Sequence, residues 1–232
     1  GYIIKTPMYC AVPTVLVMMQ PDFGTAFVFI CIMVFIYFIG RISWGYILTA
    51  AGGLAVCMPL AYYFVLSDSQ RERIDVFINP ESDLQNSGYN VAQSKIAIGS
   101  GQLTGKGFFS EGTLAQLRFV PERHTDFIFA GIVEGLGFVG GTIIICLFFA
   151  LIFRWIYIAM RTKDSFGTCL VVGVAGMFTA HVFENIGMTI GLMPVTGIPL
   201  PFISYGGSNL LTNLIGVGIV ENVWMRRQSK KR

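Results

Sequence analysis

Long apolar runs dominate this sequence and limit the folds that are open to it. Several of them reach the roughly 20 residues that an α-helix needs to cross a bilayer. Only 12% of the residues are charged, against about 25% in a typical soluble domain. The sequence therefore predicts an all-α, polytopic membrane helix bundle with about six transmembrane helices. The predicted spans are at about 7–20, 23–40, 44–66, 127–153, 167–192 and 206–225.

The Lys and Arg residues in the short connections predict how these helices are oriented. Basic residues precede the first run, separate the second run from the third and the fourth from the fifth, and fill the tail. If the six runs alternate, these residues all lie on one side, which the positive-inside rule identifies as the cytoplasm. We therefore expect a multi-pass membrane protein with a cytoplasmic C-terminus and an extracytoplasmic loop at about 67–126.

Two further features describe the chain as a whole. It has no initiator Met, and we interpret it as part of a longer protein whose upstream spans are missing. The cysteines are scattered through the apolar runs without a C-x-x-C pair, so neither zinc nor a disulfide framework is indicated. We expect them to be small core residues. They are Cys10, Cys31, Cys57, Cys146 and Cys169.

The predicted external loop at 67–126 is long and charged. It holds 8 of the 13 acidic and 6 of the 16 basic residues, and loops of this length are usually functional. The pattern VAQSKIAI at 91–98 is amphipathic and predicts an interfacial helix. The glycine-rich backbone that follows, with Lys95 and Lys106, is suited to contacting a pyrophosphate. A flexible loop is the alternative.

The segment PERHTD, at 121–126, joins this loop to the apolar run that begins at Phe127. Asp126 is therefore expected where the chain enters the bilayer. Partial burial raises the pKa of a carboxyl group toward the range that is useful to a general base. The alternative is a helix cap, in which Thr125 or Asp126 accepts hydrogen bonds from the amides of the next helix.

Several polar residues lie within the apolar runs. Glu134 is expected to face a cavity or a partner, or to be a hydrogen-bonded or protonated structural residue. His181, Glu184 and Asn185 have the spacing of one helix face. Hydrogen bonding between helices is their expected role, and a metal site with two protein ligands is the weaker alternative.

The segment 193–205 contains three prolines and cannot form a regular span. Irregular backbone at membrane depth is tolerated only where it is buried in protein or lines a wet cavity. We therefore predict a re-entrant or cavity-lining segment near the external face. The end of this segment and the residues directly after it offer the hydroxyl groups of Ser204, Tyr205 and Ser208.

Four blocks of the sequence, taken together, resemble the SEDS family of bacterial envelope proteins (shape, elongation, division and sporulation), and most closely its RodA branch. The resemblance covers nearly the whole chain and keeps the family's order of blocks. It implies the C-terminal part of a ten-span SEDS-type protein of the bacterial cytoplasmic membrane, with the last six spans present. One departure is Glu134-Gly135, where many members have two acids. The blocks are QPDFGTA, GYNVAQSKIAIGSGQLTGKGF, FVPERHTDFIFAGIVEGLGFVG and NIGMTIGLMPVTGIPLPFISYGGSN.

The resemblance also implies an activity. Members of the family polymerise lipid II into glycan strands, here for cell elongation and rod shape, as inverting peptidoglycan glycosyltransferases that work with a class B penicillin-binding protein. The family's essential aspartate matches Asp126, which is thereby the implied catalytic residue. The chemistry agrees, because a positioned carboxylate can take the proton of an attacking sugar hydroxyl. The alternatives are a lipid II flippase or transporter, and a non-catalytic scaffold of the cell-wall synthesis complex.

The leaving pyrophosphate needs positive charge or a divalent cation such as Mg²⁺ or Mn²⁺. Asp22 falls on the external side and is the candidate metal ligand, with a structural turn as the alternative. The residues predicted to bind substrate are Gln93, Ser94, Lys95, Lys106, Arg118, Glu122, Arg123, His124, Ser204, Tyr205 and Ser208.

Overall fold

A computed structural model of the protein describes residues 2–20, 22–39, 68–79, 87–108 and 125–226, together with Gly45, Gly52 and Tyr62. These residues form helices joined by turns and irregular segments, without a β-strand among them, as predicted for an all-α fold. The predicted span at 44–66 lies outside the described residues apart from those three positions. The helices are α1 (Tyr2–Met18), α2 (Phe23–Ile39), α3 (Asp68–Ile78), α4 (Ser87–Ser100), α5 (Ile128–Arg161), α6 (Ser165–Thr189) and α7 (Gly207–Arg226).

Two of these helices are long and apolar enough to cross a membrane, namely α5 with 34 residues and α6 with 25. A shorter apolar helix covers Phe23–Phe38. Helix α5 continues to Arg161 instead of ending near 153 as predicted. Arg154, which interrupts the apolar run, is accommodated because its guanidinium carbon lies 4.8 Å from the ring centroid of Trp224, in a favourable cation–π contact.

The same contact brings the basic ends of two helices to one side of the bundle. Arg154 lies near the C-terminal end of α5, and Trp224 lies near the C-terminal end of α7. Arg161 and Arg226 occupy the last turns of these two helices. Asp126 precedes the opposite end of α5. This clustering of basic residues agrees with the charge asymmetry that the sequence predicts.

Helix α6 is the central element and packs against α2, α5 and α7. The approach to α2 is close, because a Cβ atom at Gly176 would lie only 3.1 Å from the Phe35 side chain. Small residues of this kind let membrane helices pack tightly. On the other side of α6, the rings of Trp155 and Phe178 meet edge to face with their centroids 4.7 Å apart.

The cysteines are only partly where the sequence predicted them. Cys31 is half-buried, but Cys146 and Cys169 are exposed on the surface of the bundle. The prediction that these last two are core residues is therefore wrong. A small apolar side chain suits the lipid-facing surface of a membrane helix as well as its interior, so the sequence could not distinguish the two positions.

Helix α5 is broken at Gly137, whose φ of 72° and ψ of −173° are not helical. The segment that follows α4 forms backbone hydrogen bonds at this break. Helix α4, which contains the helix predicted at 91–98, also packs against α5 and is part of the bundle. Such pairing supplies the hydrogen bonds that irregular backbone requires at membrane depth. Four backbone hydrogen bonds of 2.8–3.2 Å join the two segments. The N–H groups of Phe138 and Val139 donate to the carbonyl groups of Gln102 and Leu103, and the N–H groups of Lys106 and Gly107 donate to those of Glu134 and Gly135.

This break leads to a first prediction, on stability. Gly137→Ala is expected to destabilise the protein by about 1–3 kcal/mol, because a residue with a Cβ atom is strained at a positive φ. That atom would also overlap the backbone of Leu103 and Gly105. Thermal melting of the purified complete protein in detergent measures the effect. Gly131→Ala on the same helix is the control, since its Cβ atom would meet nothing within 4 Å. Equal melting temperatures for the two variants would contradict this account.

Candidate functional site

Asp126 lies in a turn at 125–127, directly before α5, and is half-buried. The N-cap position of α5 falls on Phe127, the residue directly after Asp126. The carboxylate faces the irregular segment between α6 and α7. A Cβ atom at Gly197 would lie 3.5 Å from Asp126 Oδ2, so a glycine here leaves space beside the carboxylate.

Asn185 on α6 fixes the backbone of this turn. Its side-chain Nδ2 donates to the carbonyl oxygen of Asp126 at 2.9 Å and to that of Ile198 at 2.8 Å. The Asn185 side chain is completely buried, where hydrogen bonds are strong and costly to lose. Asn185 therefore joins the start of α5 to the irregular segment through two buried hydrogen bonds.

Ser204 holds the same turn from a second direction. Its hydroxyl donates to the carbonyl oxygen of Thr125 at 2.6 Å and accepts a hydrogen bond from the backbone N–H of Leu200 at 2.7 Å. Ser204 is only 6% exposed. The structure thus gives Ser204 a structural role in place of the substrate contact predicted for it, because its hydroxyl is turned inward and already bonded.

The irregular segment predicted at 193–205 is present, between the end of α6 at Thr189 and the start of α7 at Gly207. Leu200 is completely buried and packs with Phe129 and Val133 of α5. The segment is therefore anchored by apolar contacts as well as by the hydrogen bonds of Asn185 and Ser204. Together these contacts fix the backbone position of Asp126.

The other predicted substrate-binding residues fall into two groups. Ser94 is completely buried, and its hydroxyl contacts the carbonyl oxygens of Thr189 at 2.6 Å and Val91 at 3.0 Å. It therefore ties α4 to α6, which corrects its predicted role. Gln93 is half-buried on α4, and Tyr205 and Ser208 are exposed near the start of α7. Arg118, Glu122, Arg123 and His124 lie outside the described residues.

The two lysines of the glycine-rich region have different environments. Lys106 Nζ lies 3.8 Å from the buried carboxylate of Glu134, which also accepts a long hydrogen bond of 3.5 Å from Ser100. Glu134 therefore has a charged partner, as predicted, and also the hydrogen bond of the structural alternative. Lys95 instead extends over Gly191, whose φ is 74°. It lines a groove that also contains Arg73, a residue that is not among those predicted to bind substrate.

Asp22 stabilises the start of α2. Its Oδ1 accepts a hydrogen bond from the Thr25 backbone N–H at 3.0 Å, and its Oδ2 accepts one from the Thr25 hydroxyl at 2.7 Å. The structural turn that the sequence left as an alternative is therefore confirmed. Within the ranges that the structure describes, no cluster of three or more His, Cys, Asp or Glu side chains is placed to hold a metal ion.

Of the three polar residues on one face of α6, His181, Glu184 and Asn185, only Asn185 forms side-chain hydrogen bonds with described residues. Asn185 bonds as expected, although to backbone carbonyl groups and not to another side chain. Among the described residues, His181 Nδ1 and both carboxylate oxygens of Glu184 have no hydrogen-bond partner, so the interhelical hydrogen bonds expected of these two stay a prediction. The Thr196 hydroxyl lies beside Glu184 but lacks hydrogen-bond geometry.

Comparison with known proteins adds to this geometry. Residues 1–229 match the model of a family described as cell cycle protein, which includes FtsW, RodA and SpoVE. The chain is 44% identical over 216 residues to "Peptidoglycan glycosyltransferase MrdB" of Escherichia coli (strain K12), a match that covers 93% of this chain and 58% of MrdB. The chain thus spans somewhat more than half the length of this relative.

Two solved structures are similar in fold to this chain. A chain from "Structural coordination of polymerization and crosslinking by a peptidoglycan synthase complex" aligns with a TM-score of 0.76 and 30% identity, over 95% of this chain and 62% of that one. The rod shape determining protein RodA of Thermus thermophilus aligns with a TM-score of 0.63 and 27% identity, over 96% of this chain and 56% of RodA.

Proposed function

Because the chain belongs to the FtsW/RodA/SpoVE family of cell cycle proteins, we propose that the protein containing it is a peptidoglycan glycosyltransferase that polymerises lipid II during cell elongation. The 44% identity to a relative named as such a glycosyltransferase supports the reaction class. The observation that carries the proposal is the Asp126 turn, which Asn185 and Ser204 hold in place with hydrogen bonds to its carbonyl groups. A carboxylate carried on a fixed backbone is suited to the role of a general base.

In the proposed reaction, the 4-hydroxyl oxygen of one sugar attacks the anomeric carbon of another. Asp126 accepts the hydroxyl proton as the new C–O bond forms. The bond between the anomeric carbon and the pyrophosphate oxygen breaks, and the polyprenyl pyrophosphate leaves with that electron pair. Attack from the face opposite the leaving group inverts the anomeric configuration.

Positive charge near the leaving group lowers the barrier by stabilising the charge that develops on it. Lys95 is the described cation that supports this role most directly, since Lys106 is paired with Glu134. Gln93, Tyr205 and Ser208 remain candidate substrate contacts. Arg118, Glu122, Arg123 and His124 remain candidates from the sequence alone.

A divalent cation, Mg²⁺ or Mn²⁺, is also proposed. Such ions are commonly held by one or two carboxylates together with substrate phosphates. Two carboxylates support this arrangement. Glu184 has both oxygens without hydrogen-bond partners among the described residues, and the negative charge of Asp22 repels that of Glu184. A cation bound by both would relieve this repulsion. The ion would supply charge stabilisation to the leaving pyrophosphate.

The proposed location is the bacterial cytoplasmic membrane, with the C-terminus in the cytoplasm and Asp126 at the external face. Lipid II is anchored in that membrane, so the bilayer itself is a partner. A class B penicillin-binding protein is the proposed protein partner. The similar chain from a peptidoglycan synthase complex that coordinates polymerisation and crosslinking supports this assignment.

A lipid II transporter is the second candidate. It is favoured by His181 and Glu184, whose polar atoms within a membrane helix lack hydrogen-bond partners among the described residues, since transporters place such groups along their path. A non-catalytic scaffold, the third candidate, does not require the fixed Asp126 turn.

Purified complete protein incubated with lipid II tests the proposal. We expect glycan strands that are visible on a gel and are degraded by a muramidase. A parallel assay follows the movement of labelled lipid II across liposome membranes. Translocation without polymer formation would favour the transporter, and neither activity, alongside retained binding of the penicillin-binding protein, would favour the scaffold.

A further inference from the structure

A groove lies between α3, α4 and the segment that follows α6. Its walls are largely apolar, yet two basic side chains stand in it, Arg73 from α3 and Lys95 from α4. A groove with this combination is suited to a ligand that is anionic at one end and hydrocarbon at the other. The apolar wall residues include Val76, Val91, Met193 and Val195.

The charges of Arg73 and Lys95 are not neutralised within the part of the chain that the structure describes. Neither side chain makes an ion pair, a side-chain hydrogen bond or a ring contact with another described residue. By contrast, Lys106 pairs with Glu134, and Arg154 lies over Trp224. Among the described residues, the groove therefore presents positive charge without an acidic partner, beside apolar surface.

The backbone of Gly191 lets Lys95 reach across the groove. Gly191 follows the end of α6 and has a φ of 74°. A Cβ atom at this position would overlap the Cε and Nζ atoms of Lys95. The ammonium group of Lys95 therefore packs directly against the backbone of Gly191, close to the end of α6.

The groove adjoins the Asp126 turn. Val91 and Val195 line the groove and also pack against the buried ring of Phe127. Phe127 directly follows Asp126 in the chain. An anion held by Arg73 and Lys95 would therefore be separated from the Asp126 turn by one layer of packed apolar side chains.

We propose that this groove binds the diphosphate group of a polyprenyl diphosphate lipid. Arg73 and Lys95 contact the phosphate oxygens, and the apolar walls contact the first units of the hydrocarbon chain. This inference rests on the proposed function and deepens it, because it assigns the leaving group of the transfer to a defined place. Binding at a membrane boundary suits charge-assisted hydrogen bonds, which are the stronger class.

Binding is tested with the complete wild-type protein in nanodiscs of phosphatidylcholine. Undecaprenyl diphosphate is titrated, and its Kd is compared after Lys95→Gln and after Arg73→Gln. Each change is expected to raise the Kd by about 10-fold to 100-fold, the effect of losing a hydrogen bond to a charged group. Lys95→Arg should retain most of the affinity.

Lys163→Gln is the matched control, because Lys163 is an exposed lysine in the connection between α5 and α6, away from the groove. An unchanged Kd after both groove substitutions would overturn the proposal. Equal affinity for phosphatidylglycerol would overturn the assignment to a diphosphate, and equal affinity for inorganic pyrophosphate would overturn the role of the apolar walls. If the wild-type protein binds undecaprenyl diphosphate normally but makes no glycan, the glycosyltransferase function is refuted and the groove proposal is not.

Discussion

Asp126→Asn in the complete protein is expected to lower the rate of glycan polymerisation from lipid II by about 10²–10⁴-fold, the usual contribution of a general base. Asparagine keeps the size of the side chain but cannot accept the hydroxyl proton. The hydrogen bonds of Asn185 and Ser204 go to the carbonyl groups of Asp126 and Thr125. They do not involve the carboxylate, so the turn should keep its conformation.

The measurement is the initial rate of polymer formation by purified protein, with the folded fraction checked by thermal melting. Asp164→Asn is the matched control. Asp164 caps α6 by accepting a hydrogen bond from the Gly167 N–H at 3.0 Å, and asparagine is about as good a cap as aspartate. We expect the control to retain its activity. A rate for Asp126→Asn close to that of the control would rule out the general-base role.

Asn185→Leu is expected to have the second largest effect. Leucine has nearly the same volume but donates no hydrogen bond, so the carbonyl groups of Asp126 and Ile198 lose their side-chain donor. Each lost bond costs about 1–3 kcal/mol when the remaining group stays buried. A displacement of the base by about 1 Å can lower the rate by about 100-fold. Asn185 is thus a positioning residue, which acts through the backbone of Asp126.

A positioning role is separated from a general loss of stability by its kinetic signature. We expect kcat to fall while KM for lipid II changes little, because the completely buried Asn185 does not reach the substrate. Asn213→Leu is the control, since Asn213 is equally buried but donates to Asn209 on its own helix, α7. Equal losses of kcat per folded molecule in the two variants would show that Asn185 acts only through stability.

The sequence predicted the elements of this fold better than their contacts. Apolar runs located α2, α5 and α6, because helices in lipid need long apolar segments. The end of α5 was missed, since the favourable packing of Arg154 against Trp224 depends on where α7 lies. The break at Gly137 was also missed, because the surrounding glycines gave no sign of which one would leave the helix.

The candidate site shows the same limit. Asp126 was identified because of its place between a polar loop and an apolar run. The partner of that turn, Asn185, lies 59 residues further along the chain, and Ser204 bonds to Thr125 across 79 residues. A sequence lists the hydroxyl of Ser204 but not the direction in which it points. Arg73 was passed over for the same reason, since only the folded chain brings it to the groove that contains Lys95.

The most direct test of the central claim is a structure of the complete protein carrying Asp126→Asn with lipid II bound. The account predicts that the 4-hydroxyl group of the acceptor sugar lies about 2.6–3.2 Å from the side chain at position 126, the distance needed for proton transfer. A bound sugar whose hydroxyl is remote from this side chain, with the turn at 125–127 otherwise unchanged, would contradict the assignment of Asp126 as the base.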